Sequence, residues 1–192
     1  VDPFSILALT FTNKAAKEMK DRIEKIVGTE ARSLWMGTFH SIFARILRSE
    51  GYKLGYPPNF VIYDTQDSKS LIKSIVKELN LDPKTYKENF VYNRISNAKN
   101  RLISYIDYAN NPILQEEDAS ALRPRISEIY KIYVNRCFKS HAMDFDDLLF
   151  NTNILFSEHI DVLNKYQQLF QHVLIDEFQD TSHGQFELLE NL

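Results

Sequence analysis

Two segments near the start of the chain read as strand-then-helix units, and they limit the fold more than any other feature. Ile6-Leu7-Ala8-Leu9-Thr10-Phe11 is an apolar run of strand length, and Thr12-Asn13, both N-cap residue types, follow at once. From Lys14 to Val27 the apolar positions Ala15, Ala16, Met19, Ile23 and Ile26 recur at a helical period, and Gly28 ends the segment. Arg32–Met36 is a second strand candidate, and Thr38 caps a helix running to about Glu50. Strand–helix–strand–helix order calls for a parallel sheet with crossover helices, because a tight hairpin cannot join parallel neighbours.

The pattern then changes. Tyr52–Asn59, with Gly51, Gly55, Pro57 and Pro58 in or beside it, reads as a linker and a boundary. Asp64 or Thr65 caps a helix to Leu79, and helical periodicity returns in Asn89–Ile103 and in one long stretch from about Glu116 to Phe138. No convincing strand pair lies between Pro57 and His141, so this region is expected to be a helical insertion. Two further helices are expected at Phe145–Phe156 and Val162–Phe170. A buried-type strand, His172–Ile175, then runs into Asp176-Glu177-Phe178-Gln179-Asp180-Thr181, and Ser182 with Gln185 makes a capping box for a last helix. The expected architecture is therefore α/β, with the sheet-bearing domain split as 1–56 and 142–192 around an all-helical insertion at 57–141.

Charge is uneven along this plan. Residues 1–48 hold eight Lys/Arg against five Asp/Glu, residues 49–143 fourteen against eleven, and residues 144–192 one against ten. A polyanionic partner therefore fits the early segments only, and the net charge of −3 carries no argument for DNA binding by itself. The acidic end reads either as a metal site or as a solvated helical face. No apolar run approaches membrane-helix length, so no membrane partner is expected. The one cysteine, Cys137, excludes an internal disulfide and fits a reducing, cytoplasmic setting.

Three segments carry chemistry, and each has a plain structural reading beside the functional one. Val173-Leu174-Ile175-Asp176-Glu177 ends a strand in two adjacent acids, at the sheet edge where open α/β folds bind ligands. In phosphoryl-transfer sites one such acid serves Mg²⁺ and the next can deprotonate the attacking water. Alternatively, the acids begin a capped helix. Leu9-Thr10-Phe11-Thr12-Asn13-Lys14 places an aromatic and small polar residues at a helix start, where a base can stack and a phosphate be received. Alternatively, Phe11 is core and Thr12 and Asn13 only cap. Gly37-Thr38-Phe39-His40-Ser41 repeats the arrangement, and His40 has no second ligand at zinc spacing.

Taken in order, these segments resemble the UvrD/Rep/PcrA-type superfamily 1 DNA helicases. TFTNKAAKEMKDRI is similar to that family's motif Ia, GTFHSIFARILR to motif Ib and LIDEFQDTS to motif II. FVIYDTQDS, ISNAKNRLI and MDFDDLL agree as well, so the resemblance spans almost the whole chain. It implies an incomplete RecA-like P-loop NTPase domain with a helical insertion, belonging to an ATP-dependent 3′→5′ DNA helicase of repair or replication. The implied cofactors are ATP and Mg²⁺, and the implied partners are single-stranded DNA and the junction of single- and double-stranded DNA. Under it Phe11 stacks on a base, while Thr12, Asn13, Thr38 and His40 contact the strand's backbone. Asp176 serves Mg²⁺, Glu177 is the base for hydrolysis, and Gln179 and Asp180 support the motif, Gln179 with no assigned role. Asp144, Phe145, Asp146 and Asp147 are expected to seat a helix rather than do chemistry.

The departures matter equally. No Gly-x₄-Gly-Lys-Ser/Thr phosphate loop exists among the five glycines, Gly28, Gly37, Gly51, Gly55 and Gly184. The adenine-contacting glutamine motif, the GDxxQSIY segment and the second motor domain are missing too. The chain is therefore expected to be truncated at both ends, and inactive alone. Two rival readings stand beside this one: the helicase subunit of a recombination helicase–nuclease, and a non-catalytic DNA- or partner-binding module.

Overall fold

The structure, a computed structural model, describes residues 2–28, 31 and 34–192. The chain divides into two compact units, residues 1–58 with 151–192 and residues 59–150.

The first unit is built on a three-stranded parallel sheet. β1 (Ile6–Thr10) lies in the middle, with β2 (Trp35–Thr38) on one side and β5 (His172–Ile175) on the other. Both neighbours are parallel to β1, with Thr10 opposite Thr38 and Leu9 opposite Ile175. Side chains alternate across a strand, so Ala8 and Met36 share one face, covered by Met19 and Ile23 of α1 (Asn13–Val27). Leu7 and Leu9 point to the opposite face and are fully buried, so β1 is covered on both sides. The strand candidate at Arg32–Met36 falls later in the structure, at β2, and its Arg32 and Ser33 lie outside the described residues.

α2 (Phe39–Glu50) buries Phe39, Ile42, Phe43, Ile46 and Leu47. α9 (Ile160–Leu169) buries Val162, Leu163 and Tyr166, and Trp35 packs edge-on against Tyr166 and Phe170. β5 departs from expectation. It is a sheet-edge strand rather than a buried one, and Leu174 is 58% exposed, because only β1 pairs with it among the described residues.

The second unit is mainly helical: α3 (Thr65–Glu78), α4 (Glu88–Asn100), α5 (Tyr105–Asn110), α6 (Pro112–Ser120) and α7 (Ile126–Lys139). Asp64 with Asp67 and Ser104 with Asp107 form capping boxes that start α3 and α5. The expected long helix from Glu116 to Phe138 is two helices. Leu122 takes a left-handed conformation (φ 59°) and Pro124 follows, which together end one helix before the next begins. The unit also carries a short parallel ladder that the sequence reading left out, β3 (Val61–Tyr63) against β4 (Ala142–Asp144). Three-residue strands give too short an alternation to read, and this ladder places residues 142–150 with the helical unit.

The charged centre of this unit explains the sequence MDFDDLL. Lys99, at the end of α4, is 2% exposed, and its ammonium lies 2.7 Å from Asp144 and 2.8 Å from Asp147. Tyr133 donates a hydrogen bond of 2.8 Å to Asp144. The Asp147 N–H donates to the Asp144 carboxylate at 2.8 Å, and the Asp144 N–H to the Asp147 carboxylate at 3.1 Å, which starts α8 (Phe145–Glu158). Asn100 holds Asp146 at 2.8 Å. These acids seat a helix, as expected, and their means of doing so is a buried lysine forty-five residues away.

Two acids share one lysine here, so their ionisation is unequal. Burial, and then the Asp144 charge, push Asp147 up to about 7. Burial also opposes ionisation of Asp144, but Lys99 outweighs it and holds that carboxyl below its usual range. Lys99 itself is held well above 10.5 by the two acids despite burial. Burial raises the neighbouring Tyr130, Tyr133, Cys137 and Asp146 as well. The folded chain therefore keeps the Asp147 proton over a range in which the unfolded chain has lost it. Stability from this group falls as pH rises from the ordinary carboxyl value of 3.8 to about 7, while Asp144 loses its contribution below 3.8.

Lys99→Met leaves both acids buried without their cation and should cost about 3–5 kcal/mol. Urea denaturation of the helical unit's signal at pH 5 and pH 7.5 checks both points. The parent should be more stable at the lower pH, and a Lys99→Met loss below about 1 kcal/mol would contradict the buried-cluster account.

Candidate functional site

Every segment singled out from the sequence reaches the carboxyl edge of the three-stranded sheet. Because β1, β2 and β5 are parallel and in register, residues just past Thr10, Thr38 and Ile175 emerge side by side. The Asp176 N–H donates to the Leu9 carbonyl at 3.0 Å, which extends the β1–β5 ladder one residue into the site. Asp176 therefore has a fixed backbone and an exposed side chain.

After Asp176 the chain turns sharply. Glu177 is left-handed (φ 53°, ψ 47°), a conformation costing a residue with a side chain about 1–2 kcal/mol. A single 3-10 turn, Phe178–Asp180, follows and is closed by the Asp180 N–H donating to the Glu177 carbonyl at 2.9 Å. The Glu177 carboxylate accepts a hydrogen bond from the Gln179 amide. Phe178 packs against Phe186 with ring centroids 6.3 Å apart, which ties the turn to α10 (His183–Asn191). The cap of α10 is Ser182, whose side chain accepts from Gln185 N, while the Gln185 side chain accepts from Ser182 N at 2.9 Å. The acids thus do not cap this helix. Asp176, Glu177, Gln179 and Asp180 are all exposed, and none forms an ion pair among the described residues.

On the other two strands, Thr12 caps α1 by accepting from Ala15 N at 3.1 Å, and Asn13 is exposed at the first helical position. Phe11 is half-buried and its ring lies 5.2 Å from that of Phe39. It is a residue partly sunk on a buried aromatic, not a core residue. Thr38 is 6% exposed and caps α2, accepting from Ser41 N at 3.2 Å, while Ser41 Oγ donates to the Thr38 carbonyl at 2.9 Å. A Cβ on Gly37 would lie 2.6 Å from Ser41 Oγ, so a larger residue there would turn that hydroxyl away from its place. His40 is half-buried in the first turn of α2.

A groove of about 460 Å³ joins two of these segments. Asn13, Gly37, Thr38 and Ser41 line it together with Lys17, Lys20, Asp21 and Glu24 of α1. Lys17 and Lys20 were missed by motif reading. Their signal was nevertheless present, because positions 13, 17, 20 and 24 fall on one face of a helix. The groove takes in neither Phe11 nor the acids of the β5 turn.

For metal binding the donor set is sparse. No group of three or more His, Cys, Asp or Glu able to hold an ion exists among the described residues. That suits Mg²⁺ only in its usual role, where one or two carboxylates hold an ion that keeps waters and substrate phosphate oxygens. Asp176 can supply such a carboxylate. A phosphate cradle is not among these residues, so they do not fit a complete triphosphate site.

An open parallel α/β sheet that gathers its polar segments at the carboxyl ends of the strands belongs to the class of domains that bind ligands at that edge. Comparison with known proteins narrows the class. The family model for the UvrD/REP helicase N-terminal domain matches residues 1–192, and the chain belongs to that family. It is 40% identical over 192 residues to the ATP-dependent DNA helicase PcrA of Staphylococcus aureus, covering all of this chain and 26% of that protein. It is 42% identical over the same length to the PcrA of Staphylococcus epidermidis, again covering 26% of the relative. The chain thus spans about a quarter of the length of the curated relatives it matches. Its fold is the partial RecA-like α/β domain expected of this family.

The cap assignment is open to direct test. Ser182→Ala should lower stability by about 1 kcal/mol through loss of the capping box. Asp176→Asn and Glu177→Gln, exposed and capping nothing, should each stay within about 0.5 kcal/mol of the parent. Chemical denaturation of the three variants decides this, and a loss for either acid matching that of Ser182→Ala would restore the cap reading.

Proposed function

We propose that this chain is part of an ATP-dependent 3′→5′ DNA helicase that moves along single-stranded DNA and opens duplex in repair or replication. The observation that carries the reading is strand register. Thr10 opposite Thr38 and Leu9 opposite Ile175 bring Phe11–Asn13, Thr38–His40 and Asp176–Glu177 to one edge of one sheet. Residues that grip a strand and residues that handle a phosphate are thereby carried by adjacent strands of a single element. Kinship with proteins named as ATP-dependent DNA helicases supports the same conclusion.

In this reading the sheet unit is part of the first motor domain, and the helical unit is the insertion that meets the junction of single- and double-stranded DNA. Phe11, seated on Phe39, offers its ring to a base. Asn13, Thr12 and His40 meet the sugar-phosphate backbone at two helix starts. Thr38, already buried in its cap, acts by holding that start in shape. Lys17 and Lys20 line the groove beside Asn13 and can each meet a phosphate, while Asp21 and Glu24 balance their charge.

Asp176 contributes one carboxylate toward Mg²⁺, which when bound neutralises charge on the phosphates. Glu177, which forms no ion pair among the described residues, accepts the proton of the attacking water. The water oxygen bonds to the γ-phosphorus as the bond to the oxygen of the departing ADP breaks. Lacking a phosphate loop, the 192 residues alone are read as unable to carry out this step.

Two outcomes test the reading. In the whole helicase, Glu177→Gln should slow single-turnover ATP hydrolysis on saturating single-stranded DNA by about 10²–10⁴-fold, with nucleotide and DNA binding kept. The isolated chain should show no DNA-stimulated turnover. Retention of more than about a tenth of the parent rate by Glu177→Gln would remove the base assignment. Separately, Phe11→Ala should weaken oligo-dT binding by on the order of 1–3 kcal/mol with little change in thermal stability. Equal binding, or a large drop in melting temperature, would return Phe11 to a packing role.

A further inference from the structure

We infer that Gln179 is a positioning residue that aims the Glu177 carboxylate. Gln179 lies inside the DEFQD segment, where residue type alone gives it no role. In the structure its side-chain amide donates to the Glu177 carboxylate across the 3-10 turn. An ionised carboxylate can only accept, so the amide's NH₂ end is the end that faces it.

Three fixed points define the turn that presents this pair. Asp176 N–H is bound into β1's ladder at 3.0 Å, Phe178 lies on Phe186, and Ser182 caps α10. Between those anchors Glu177 is left-handed, so its side chain leaves the line of the strand, and Gln179, two residues on, meets it. Both side chains are exposed, so burial does not enforce their contact.

The chemistry of the contact is selective. A lysine or arginine at this place would orient the carboxylate but also neutralise it and weaken it as a base. A neutral amide restricts its direction at smaller electrostatic cost. One carboxylate oxygen is engaged, and the other remains available to a water. The buried acids of the helical unit differ in kind: Asp144 and Asp147 share the charge of Lys99 and are withdrawn from solvent.

This inference rests on the reading of Glu177 as the base. The test therefore uses the whole helicase in five forms: parent, Gln179→Ala, Gln179→Met, Glu177→Gln and the Glu177→Gln/Gln179→Ala double variant. Single-turnover hydrolysis is measured with ATP and single-stranded DNA saturating, alongside KM for ATP.

Gln179→Ala should lower the rate on the order of 10- to 100-fold, the scale of a misaimed catalytic group, with KM within about twofold. Gln179→Met, which keeps the length and neutrality and loses the donor, should behave like Gln179→Ala, whereas a space-filling role would leave it like the parent. In the Glu177→Gln background, Gln179→Ala should add no further loss, because residues acting as a unit are non-additive. A parent-like rate for Gln179→Ala, or an equal loss in both backgrounds, would overturn the positioning role while the base assignment stands. A parent-like rate for Glu177→Gln would instead overturn the base assignment and this inference with it.

Discussion

The parallel pairing of β1 with both β2 and β5 is the constraint on which the site depends. A parallel ladder admits no side-chain choice about which ends align: once Leu9 faces both Gly37 and Ile175, everything that follows each strand emerges at the same edge. A one-residue slip would send each strand's side chains to the opposite face, exchanging Leu7 and Leu9 with the smaller Ala8 in β1, and close packing opposes it. Site geometry is thus secured by core packing on the faces of the sheet and not by contacts within the site. That arrangement leaves Asp176, Glu177 and Asn13 exposed and uncommitted to stability.

Carboxylates occupy two kinds of setting in this chain, and burial separates them. Asp144 and Asp147 sit around a buried lysine, where ionisation is shifted in opposite directions and removing the cation would strand charge in a dry core. Asp176 and Glu177 lie past a strand end in contact with solvent, with a neutral amide as Glu177's partner. Both pairs stand next to a helix in sequence, and both invite the reading of a helix cap. Only the first pair is one: Asp144 and Asp147 cap α8, whereas α10 takes its cap from Ser182.

Much of this was legible in the residues themselves. The order of strand and helix at the start of the chain, the caps Thr12, Thr38, Asp64 and Ser182, and the motif segments follow from local chemistry. Cap and period are properties of a few adjacent residues, so they survive without knowledge of the fold. What failed was also local in origin. The helix break at Leu122–Pro124 was hidden by continuous apolar periodicity, and β3 and β4 were too short to alternate visibly. β5 looked buried because its residues are apolar, but burial depends on neighbours that its own sequence does not specify.

The sequence by itself determined the class of fold, the family and the segments that carry its motifs, because these depend on residue type and short spacing. The tertiary structure decided which of those residues meet. The pairing of Lys99 with Asp144 spans forty-five residues, and the groove shared by Asn13, Lys17 and Thr38 needs two helix starts side by side. The Glu177–Gln179 contact needs a left-handed residue that no propensity would select. Each is a matter of distance across the fold, and distance across the fold is set by strand register and core packing, which act on the whole chain at once.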